Sequence, residues 1–400
     1  MSNVVQLKHL EHIEDEMLNY GVDGCWAAVR FMQELCKMLG KEGSSGYMQT
    51  KWDGAPSVVC GIDPASGMFF VGNKSVFNKV SPKLCFTPED IDVYYGKQPG
   101  LATKLYAALK YFKPLGIKGV IQGDLMYTQG DKKREVINGE DLVTFRANTI
   151  TYGVPIDHPL GHKIDNSKIG VVFHTHYQGS DIETMSAQPG APIKTFTNTQ
   201  DCAVIANDTP MDNIEVDSTT LTQFATDVRT IEMKCIKAGD FLDHLVSNMG
   251  TTGEKKFHIA SYLKMFFNAE IKNQRMINAE STLKELGKFY HTKMMKEISK
   301  VKNQAPKREL MYKGLQYMED NYSQFKAMLE LYKKIQEAKQ HVLEALDKLE
   351  SFRTYVESPT GYRVTNPEGY VLHMDGKMIK IVNRLEFSYI NFTLPKDGWK

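Results

Sequence analysis

The stretch Lys51-Trp52-Asp53-Gly54 lies between two runs that both have the composition of β-strands. The run that follows it, Ser57–Ile62, is apolar, rich in β-branched residues and ends at a turn signal. A lysine at the end of a buried strand is unusual, because lysine is almost never fully buried without a partner. Burial and neighbouring cations would lower the pKa of Lys51 and make its amine a usable nucleophile. Gly54 would allow a nucleotide or another backbone segment to approach closely.

The pattern Lys-x-Asp-Gly resembles motif I of the covalent nucleotidyltransferase superfamily, which includes ATP-dependent DNA ligases, RNA ligases and mRNA capping enzymes. The resemblance implies that Lys51 becomes covalently attached to AMP and that Asp53 and Gly54 bind the nucleotide. Four residues with one free position also fit a surface turn with a solvated lysine and aspartate. The interpretation therefore depends on whether companion motifs follow in order.

Two further segments resemble strands that contact the nucleotide in this superfamily. Residues 70–75, Phe-Val-Gly-Asn-Lys-Ser, are similar to the second motif, which implies that Lys74 faces the phosphates. Residues 169–174, Ile-Gly-Val-Val-Phe-His, resemble the aromatic strand IIIa, which implies that Phe173 stacks on adenine. His174 stands where an aspartate is common, so the resemblance assigns it no role.

Two acidic positions complete the resemblance to the family's metal and ribose contacts. Residues 120–125, Val-Ile-Gln-Gly-Asp-Leu, are similar to motif III, with Asp124 in place of the usual glutamate. Residues 367–372, Pro-Glu-Gly-Tyr-Val-Leu, closely match motif IV. The resemblance implies that Asp124 and Glu368 hold Mg²⁺, with Mn²⁺ as an alternative, or the ribose.

The last candidate motif is residues 376–381, Gly-Lys-Met-Ile-Lys-Ile, which resembles motif V. It implies that Lys377 and Lys380 offset the charge of the ATP phosphates. Ligases often have two lysines separated by one residue, and here Val382 occupies the position of the second. Lys377 or Arg384 are the candidates to replace it.

Composition restricts the class of protein. The chain has 400 residues, 42% hydrophobic and 24% charged, which is typical of a globular protein, and its net charge is +1. It has neither an apolar run long enough to span a bilayer nor a visible secretory signal, so we expect no membrane association and a cytoplasmic location. The six cysteines show no paired spacing, which predicts reduced, mostly buried thiols.

The order of predicted elements favours an α+β fold. Residues 8–40 are predicted to form two helices that are separated at Gly21, and strands with no regular β-α alternation follow. This agrees with the two-sheet antiparallel nucleotidyltransferase fold that the resemblance implies. Residues 219–355 have the pattern of a helical bundle inserted into this fold, so the core comprises residues 1–218 and 356–400.

The predicted insertion carries an excess of positive charge. Residues 253–350 contain 19 lysines and arginines against 13 aspartates and glutamates, a net charge of +6. A basic run surrounds Pro306, and its candidate nucleic-acid contacts are Lys296, Lys300, Lys302 and Lys307. Clustered cations gain affinity for a phosphate backbone by releasing counterions. A solvated helix face would have the same composition, so both interpretations remain open here.

The resemblance implies an ATP-dependent polynucleotide ligase that acts through a lysyl-AMP intermediate. RNA is favoured over DNA as the substrate, because only seven residues follow Thr393, too few for the C-terminal OB domain of DNA ligases and capping enzymes. The alternatives are a nucleotidyltransferase with another acceptor, of the capping or protein-modifying type, and an inactive binding protein with the same fold.

A second resemblance concerns the origin of the chain. The run His9-Leu10-Glu11-His12, together with residues 51–56, resembles an uncharacterised protein family of large tailed phages. It implies that the expected cytoplasmic location is the cytoplasm of the phage's host. The oligomeric state has no signal in the sequence.

Overall fold

A computed structural model describes residues 11–44, 46–206, 216–247, 259–275, 277–347, 352–358, 361–375 and 377–388. Helices alternate with strands in the first half, and helices alone occupy the region between residues 218 and 346. The helices are α1 Glu16–Leu39, α2 Pro88–Tyr95, α3 Pro99–Phe112, α4 Pro159–Asn166, α5 Ser218–Ser247, α6 Ile259–Lys272, α7 Ala279–Ile298, α8 Ala305–Asp320 and α9 Tyr322–Leu346.

The strands are distributed along the chain on both sides of this helical region. They are β1 Tyr47–Lys51, β2 Ser57–Ile62, β3 Phe69–Gly72, β4 Val120–Thr128, β5 Lys132–Ile137, β6 Glu140–Arg146, β7 Thr151–Pro155, β8 Ile169–Gln178, β9 Ser186–Pro189, β10 Cys202–Val204, β11 Arg353–Ser358, β12 Gly361–Val364, β13 Gly369–Met374 and β14 Lys377–Ile381. The mixture confirms the α+β class.

The described strands form three sheets. Sheet A has the order β1-β13-β14, sheet B the order β10-β8-β4-β2-β3 with β9 beside β8, and sheet C the order β12-β11-β7-β6-β5. All described pairings are antiparallel except β8 with β10. The resemblance to nucleotidyltransferases implied two sheets. The difference arises because β1 pairs with β13 from the end of the chain, whereas β2 pairs with β3 and β4.

Sheet A joins the two halves of the chain through a shared core. Met48, Tyr370, Leu372, Ile379 and Ile381 from its strands pack in one hydrophobic cluster with α1 and the helices α5 to α9. The apolar residues of α9, among them Leu329, Ile335, Val342 and Leu346, lie in the same cluster. The helical region therefore packs against the strands that carry the candidate motifs.

The N-terminal helix confirms a break at Gly21. Its backbone there has a φ of 60° and a ψ of −133°, a conformation that glycine adopts without strain. Asp243 on α5 accepts a hydrogen bond from the backbone N–H of Val22 at 2.8 Å, which satisfies one donor exposed by the break. The predicted helix start at residues 8–10 lies outside the described residues.

The cysteine prediction is wrong at one pair. Cys25 on α1 and Cys235 on α5 form a disulfide, while Cys36, Cys60, Cys85 and Cys202 are free. The two partners are 210 positions apart, so their pairing follows from the packing of two helices and leaves no spacing pattern in the sequence. Across the described residues no helix is long and apolar enough to cross a membrane.

Candidate active site

The centre of the candidate site is an ion pair between two motifs that are far apart in the sequence. Lys51 is the last residue of β1, and in the antiparallel register it lies opposite Gly369, the first residue of β13. Glu368 directly precedes β13, so its carboxylate reaches the lysine, with 2.5 Å between Nζ and Oε2. Strand pairing thus brings the candidate motifs I and IV together.

The next strand adds a second lysine on the same face of sheet A. Lys380 on β14 lies opposite Val371, two residues after Gly369, and side chains two residues apart on a strand share a face. Lys380 is close enough for its charge and that of Lys51 to interact, and burial together with this repulsion lowers the pKa of Lys380. The predicted proximity of Lys380 to Lys51 agrees with this geometry.

Lys377 does not share this position. It lies three residues from Lys380 on β14, hence on the opposite face, and pairs with Met374 at the far end of the hairpin. Its side chain is exposed, and its charge acts on Glu16 at the start of α1. The prediction that Lys377 offsets phosphate charge beside Lys51 is therefore wrong, because strand alternation turns the two lysines to different faces.

The pKa values of both members of the central pair are shifted, and that of Lys51 shifts in the direction opposite to the one expected from the sequence. Burial lowers the pKa of Lys51, but Glu368, Asp124 and Asp53 outweigh it, so the pKa lies above its ordinary value. Burial raises the pKa of Glu368 to about 7, against the opposing effect of Lys51. The expectation of a lowered lysine pKa is wrong for this state, because the carboxylates stabilise the ammonium more than burial and neighbouring cations destabilise it.

Asp124 belongs to sheet B and lies across from the Lys51–Glu368 pair of sheet A. On β4 its neighbours Gly123 and Leu125 turn towards the core formed with α3, so the Asp124 side chain points to the other face of sheet B. His174 on β8 lies 3.4 Å from the Asp124 carboxylate, and this hydrogen bond and charge help to keep the Asp124 pKa below its ordinary value despite burial. No pattern in the sequence indicated that Asp124 and His174 would pair.

Gly54 allows the motif I segment to lie against β4. A Cβ atom on Gly54 would come within 2.8 Å of the Asp124 Cβ and of the Met126 Sδ, and within 3.0 Å of the Leu125 carbonyl oxygen. Real Cβ atoms essentially never approach so closely. The close backbone approach that the sequence predicted at Gly54 therefore occurs, with a protein strand as the neighbour.

Asp53 is held by sheet C. Its carboxylate accepts hydrogen bonds from the Asn148 side chain at 2.8 Å, the Thr149 backbone N–H at 3.0 Å and the Thr149 hydroxyl at 2.6 Å. Its backbone N–H donates to the Tyr152 hydroxyl at 2.7 Å. Asp53 is buried, and these bonds occupy both carboxylate oxygens. The prediction that Asp53 binds the nucleotide is not supported, since the residue fixes the loop that presents Lys51.

Phe173 lies in the hydrophobic core. It is 1% exposed, and its ring makes edge contacts with Phe112 on α3 and Phe196, at centroid distances of 5.5 and 5.7 Å. The prediction that it stacks on adenine is wrong in this structure, because its side chain points away from the face that carries Asp124. On that face strand β8 instead presents His174, whose ring lies 3.4 Å from the Asp124 carboxylate.

The remaining predicted residues are exposed and apart from the central pair. Lys74 begins a 3-10 turn after β3, and within the described residues no contact joins it to Lys51 or Glu368. Lys296 lies in the last turn of α7, Lys300 and Lys302 follow that helix, and Lys307 lies in the first turn of α8, 3.9 Å from Glu297. These four lysines form the basic turn, at one end of the helical region.

A buried charge cluster that sequence reasoning missed lies beside Lys380. The Lys339 ammonium is 2.6 Å from the Glu14 carboxylate, and the Arg384 guanidinium lies 3.1 Å from that of Asp15. All four side chains are at least nine-tenths buried. His12 is next to them, and burial and the surrounding cations lower its pKa well below the ordinary value. The available signal was Lys339, which lies four residues after Ile335 and three before Val342, both core residues of α9.

The described residues contain no group of three or more His, Cys, Asp or Glu side chains arranged to hold a metal ion. Mg²⁺ in nucleotide sites is commonly bound by one or two carboxylates together with substrate phosphates and water. Asp124 and Glu368, both interacting with Lys51, fit that smaller donor set.

Comparison with known proteins gives one match. The model of the family described as "Family of unknown function (DUF6267)" matches residues 3–396. No match was found among curated proteins or among solved structures.

Proposed function

This chain belongs to the DUF6267 family, and from the geometry of its candidate site we propose that it is an ATP-dependent polynucleotide ligase with a nucleotidyltransferase fold. The observation that carries the proposal is the Lys51–Glu368 pair at 2.5 Å, with Lys380 on the same face of sheet A and Asp124 opposite. These four residues come from four segments that resemble motifs I, III, IV and V in order. A solvated surface turn would not bring them together.

In the proposed first step, the Lys51 amine attacks the α-phosphorus of ATP. A phosphorus–nitrogen bond forms, the bond to the bridging oxygen breaks, and pyrophosphate leaves with that electron pair. Lys51 must lose a proton to attack, and its raised pKa means that the resting amine is charged. Glu368, in contact with Nζ and with a pKa of about 7, is the proton acceptor.

Charge neutralisation is the second contribution of the site, because phosphoryl transfer depends chiefly on positioning and electrostatic stabilisation. Lys380, on the same face of sheet A as Lys51, would offset negative charge on the α-phosphate. Asp124 and Glu368 would hold Mg²⁺, which supplies further neutralisation of the phosphates when it is bound. His174 orients the Asp124 carboxylate through the contact at 3.4 Å.

In the proposed later steps, AMP passes from Lys51 to the 5′-phosphate of a strand, and a 3′-hydroxyl displaces AMP to seal the break. RNA is the favoured substrate. The basic turn of Lys296, Lys300, Lys302 and Lys307 would contact the strand backbone.

An inactive binding protein with the same fold is the second candidate. It is favoured by the burial of Phe173, which removes the expected base-stacking ring, and by the raised pKa of Lys51, which keeps the amine charged. A transferase with another acceptor would use the same Lys51 site and differ only in what the helical region binds.

Mass spectrometry of the intact protein separates these candidates. After incubation with ATP and Mg²⁺ we expect one added AMP in the parent and none in Lys51→Ala, with Lys377→Ala as the matched control that keeps the modification. Absence of a covalent adduct with both ATP and GTP would favour the binding protein. An adduct without sealing of nicked or single-stranded RNA and DNA would favour a different acceptor.

A further inference from the structure

An aromatic pair lies on the same face of sheet A as the Lys51 amine. Side chains two residues apart on a strand share a face, so Tyr47 and Lys51, four residues apart on β1, point to the same side. His373 on β13 is opposite Tyr47 in the antiparallel register, and the two rings stack with centroids 4.3 Å apart and planes inclined by 11°. The other face of sheet A packs against the helices, through Met48 and Leu372 among others. The pair therefore lies on the face that carries the candidate site.

The two stacked rings differ in exposure. Tyr47 is 46% exposed, whereas His373 is 5% exposed. The His373 Nε2 donates a hydrogen bond to the Gln49 amide oxygen at 2.9 Å, which fixes the orientation of the imidazole behind the tyrosine ring. An exposed ring that is backed by a fixed one loses little conformational entropy when a ligand binds to it. The pair therefore forms a rigid aromatic surface that solvent can reach.

The Tyr47 hydroxyl reaches the edge of sheet B. A Cβ atom on Gly190, directly after β9, would lie 4.0 Å from the hydroxyl oxygen. The Gly190 N–H donates to the His174 carbonyl oxygen at 2.8 Å, and the His174 ring lies 3.4 Å from the Asp124 carboxylate. The side chains of Lys51 and Asp124 are 27% and 26% exposed, so solvent reaches both. The aromatic pair and the Lys51 amine therefore lie along one solvent-accessible gap between sheets A and B.

A flat, exposed ring beside a site for phosphate chemistry suits a nucleobase, because every base has a π-face that can stack on an aromatic side chain. Phe173, the ring expected from the sequence to stack on adenine, is buried, and Tyr47 offers an exposed ring in its place. At about 3.4 Å per residue, the Cα atoms of Tyr47 and Lys51 are about 14 Å apart along β1. Both side chains extend over the same face, so a base on Tyr47 and a phosphate at Lys51 belong to one nucleotide or to adjacent nucleotides of a strand.

We propose that Tyr47, backed by His373, is the surface on which a nucleobase stacks in the site of Lys51. The inference rests on the proposed function and adds to it the residue that binds the base. ATP and the terminal nucleotide of the strand carry the same chemistry, so the test has one arm for each. An aromatic pair that only stabilises sheet A through its cross-strand contact would leave ligand affinity independent of Tyr47.

The test compares Tyr47→Leu, which removes the ring, with Tyr47→Phe, which keeps it. One arm is calorimetric titration with an ATP analogue that has a methylene group between the α- and β-phosphates, so that AMP cannot be transferred. The other arm is anisotropy titration, without ATP, of a short single-stranded RNA that carries a 3′ fluorophore. We expect Tyr47→Leu to weaken at least one ligand by about 5- to 100-fold, the effect of one lost base stack, and Tyr47→Phe to bind as the parent does. The ligand that weakens identifies the source of the base.

Two controls separate stacking from other effects. Tyr20→Leu removes another exposed ring, on α1, and should leave both affinities unchanged. Inorganic triphosphate has no base, so Tyr47→Leu should bind it as the parent does. Thermal unfolding checks the fold of each variant. A measurement on the parent alone uses 2-aminopurine riboside triphosphate and an RNA with a terminal 2-aminopurine, since stacking quenches the fluorescence of this base.

Three results would overturn the proposal. They are parent-like affinity of Tyr47→Leu for both ligands, an equal loss in Tyr47→Phe or Tyr20→Leu, and binding of both 2-aminopurine ligands to the parent without quenching. Intact-mass measurement of AMP addition is made separately. Tyr47-dependent binding in a protein without AMP addition would contradict the ligase proposal alone, whereas AMP addition with no dependence of affinity on Tyr47 would contradict this inference alone.

Discussion

Gly54 and Asp124 approach so closely that no side chain fits between their backbones. A Cβ on Gly54 would lie 2.8 Å from the Asp124 Cβ, and the neighbouring Ala55 N–H bonds the Leu125 carbonyl oxygen at 2.9 Å. Lys51 belongs to sheet A and Asp124 to sheet B, so this contact sets the distance between the two halves of the candidate site.

Replacement of Gly54 with alanine should therefore disturb both stability and chemistry. We expect Gly54→Ala to lower the free energy of unfolding by about 1–3 kcal/mol, because the methyl group must displace β4 or the loop. AMP addition should fall strongly, since Lys51 and Asp124 would move apart. Urea unfolding and intact-mass analysis measure the two effects. Gly287→Ala on α7 is the control, as nothing lies within 4 Å of the added atom. Equal stability of both variants would contradict the prediction.

The pH dependence of AMP addition should report the Lys51–Glu368 pair. The reaction needs a neutral amine, and the pKa of Lys51 lies above its ordinary value, so the initial rate should rise with pH between about 7 and 9. In Glu368→Gln the largest influence that raises this pKa is removed, while burial still lowers it. The profile should therefore shift to lower pH, with a reduced maximum rate because the proton acceptor is lost. An unshifted profile would remove Glu368 from both roles.

Substitution of Phe173 tests whether its ring fills the core or stacks on a base. We expect Phe173→Leu to lower the free energy of unfolding by about 1–2 kcal/mol, because a smaller side chain leaves part of the core unfilled. Its affinity for ATP should be unchanged, whereas loss of a stacking ring would cost about 1–3 kcal/mol of binding. Denaturation and calorimetric titration with ATP measure the two quantities. Phe112→Leu, whose ring contacts Phe173, should behave alike.

These residues show which features of the candidate site can be predicted from the sequence. Motif order predicted that Lys51, Glu368 and Lys380 share one site, and strand pairing brings the three side chains near one another. The face to which a side chain points is set by strand register, and a shift of one residue reverses it. That is why the interpretations of Phe173 and Lys377 failed.

Other features depend on contacts between distant segments and leave no local pattern. The carboxylate of Asp53 is bound by Asn148 and Thr149, almost a hundred positions away, and the disulfide joins two helices from opposite parts of the chain. The α+β class was predictable because it depends on local periodicity. The third sheet was not, because it depends on which strands meet.

The buried pair of Glu14 and Lys339 offers a test of the core between sheet A and α9. Lys339→Met leaves the Glu14 charge without its partner at 2.6 Å, so we expect a loss of about 3–5 kcal/mol in the free energy of unfolding. The double variant Glu14→Gln, Lys339→Met should recover part of this loss. The exposed pair Glu309–Lys313, 2.7 Å apart, is the control, and Lys313→Met should cost less than about 1 kcal/mol. Additive effects in the buried double variant would contradict the pairing.

The basic turn provides the last prediction. Lys296, Lys300 and Lys302 are exposed, and the contact of Lys307 with Glu297 at 3.9 Å is weak for a surface pair. If the four lysines contact a strand backbone, their joint replacement with alanine should weaken RNA binding and make it less dependent on salt. Each lost contact should reduce the slope of log affinity against log salt by about 0.7 for a single strand. Anisotropy titrations at several salt concentrations measure this slope.

The control replaces four other exposed lysines of the helical region: Lys237, Lys284, Lys288 and Lys313. The two quadruple variants change the net charge equally, so a difference in slope assigns the contacts to the basic turn, and equal slopes would show that these lysines are only solvated.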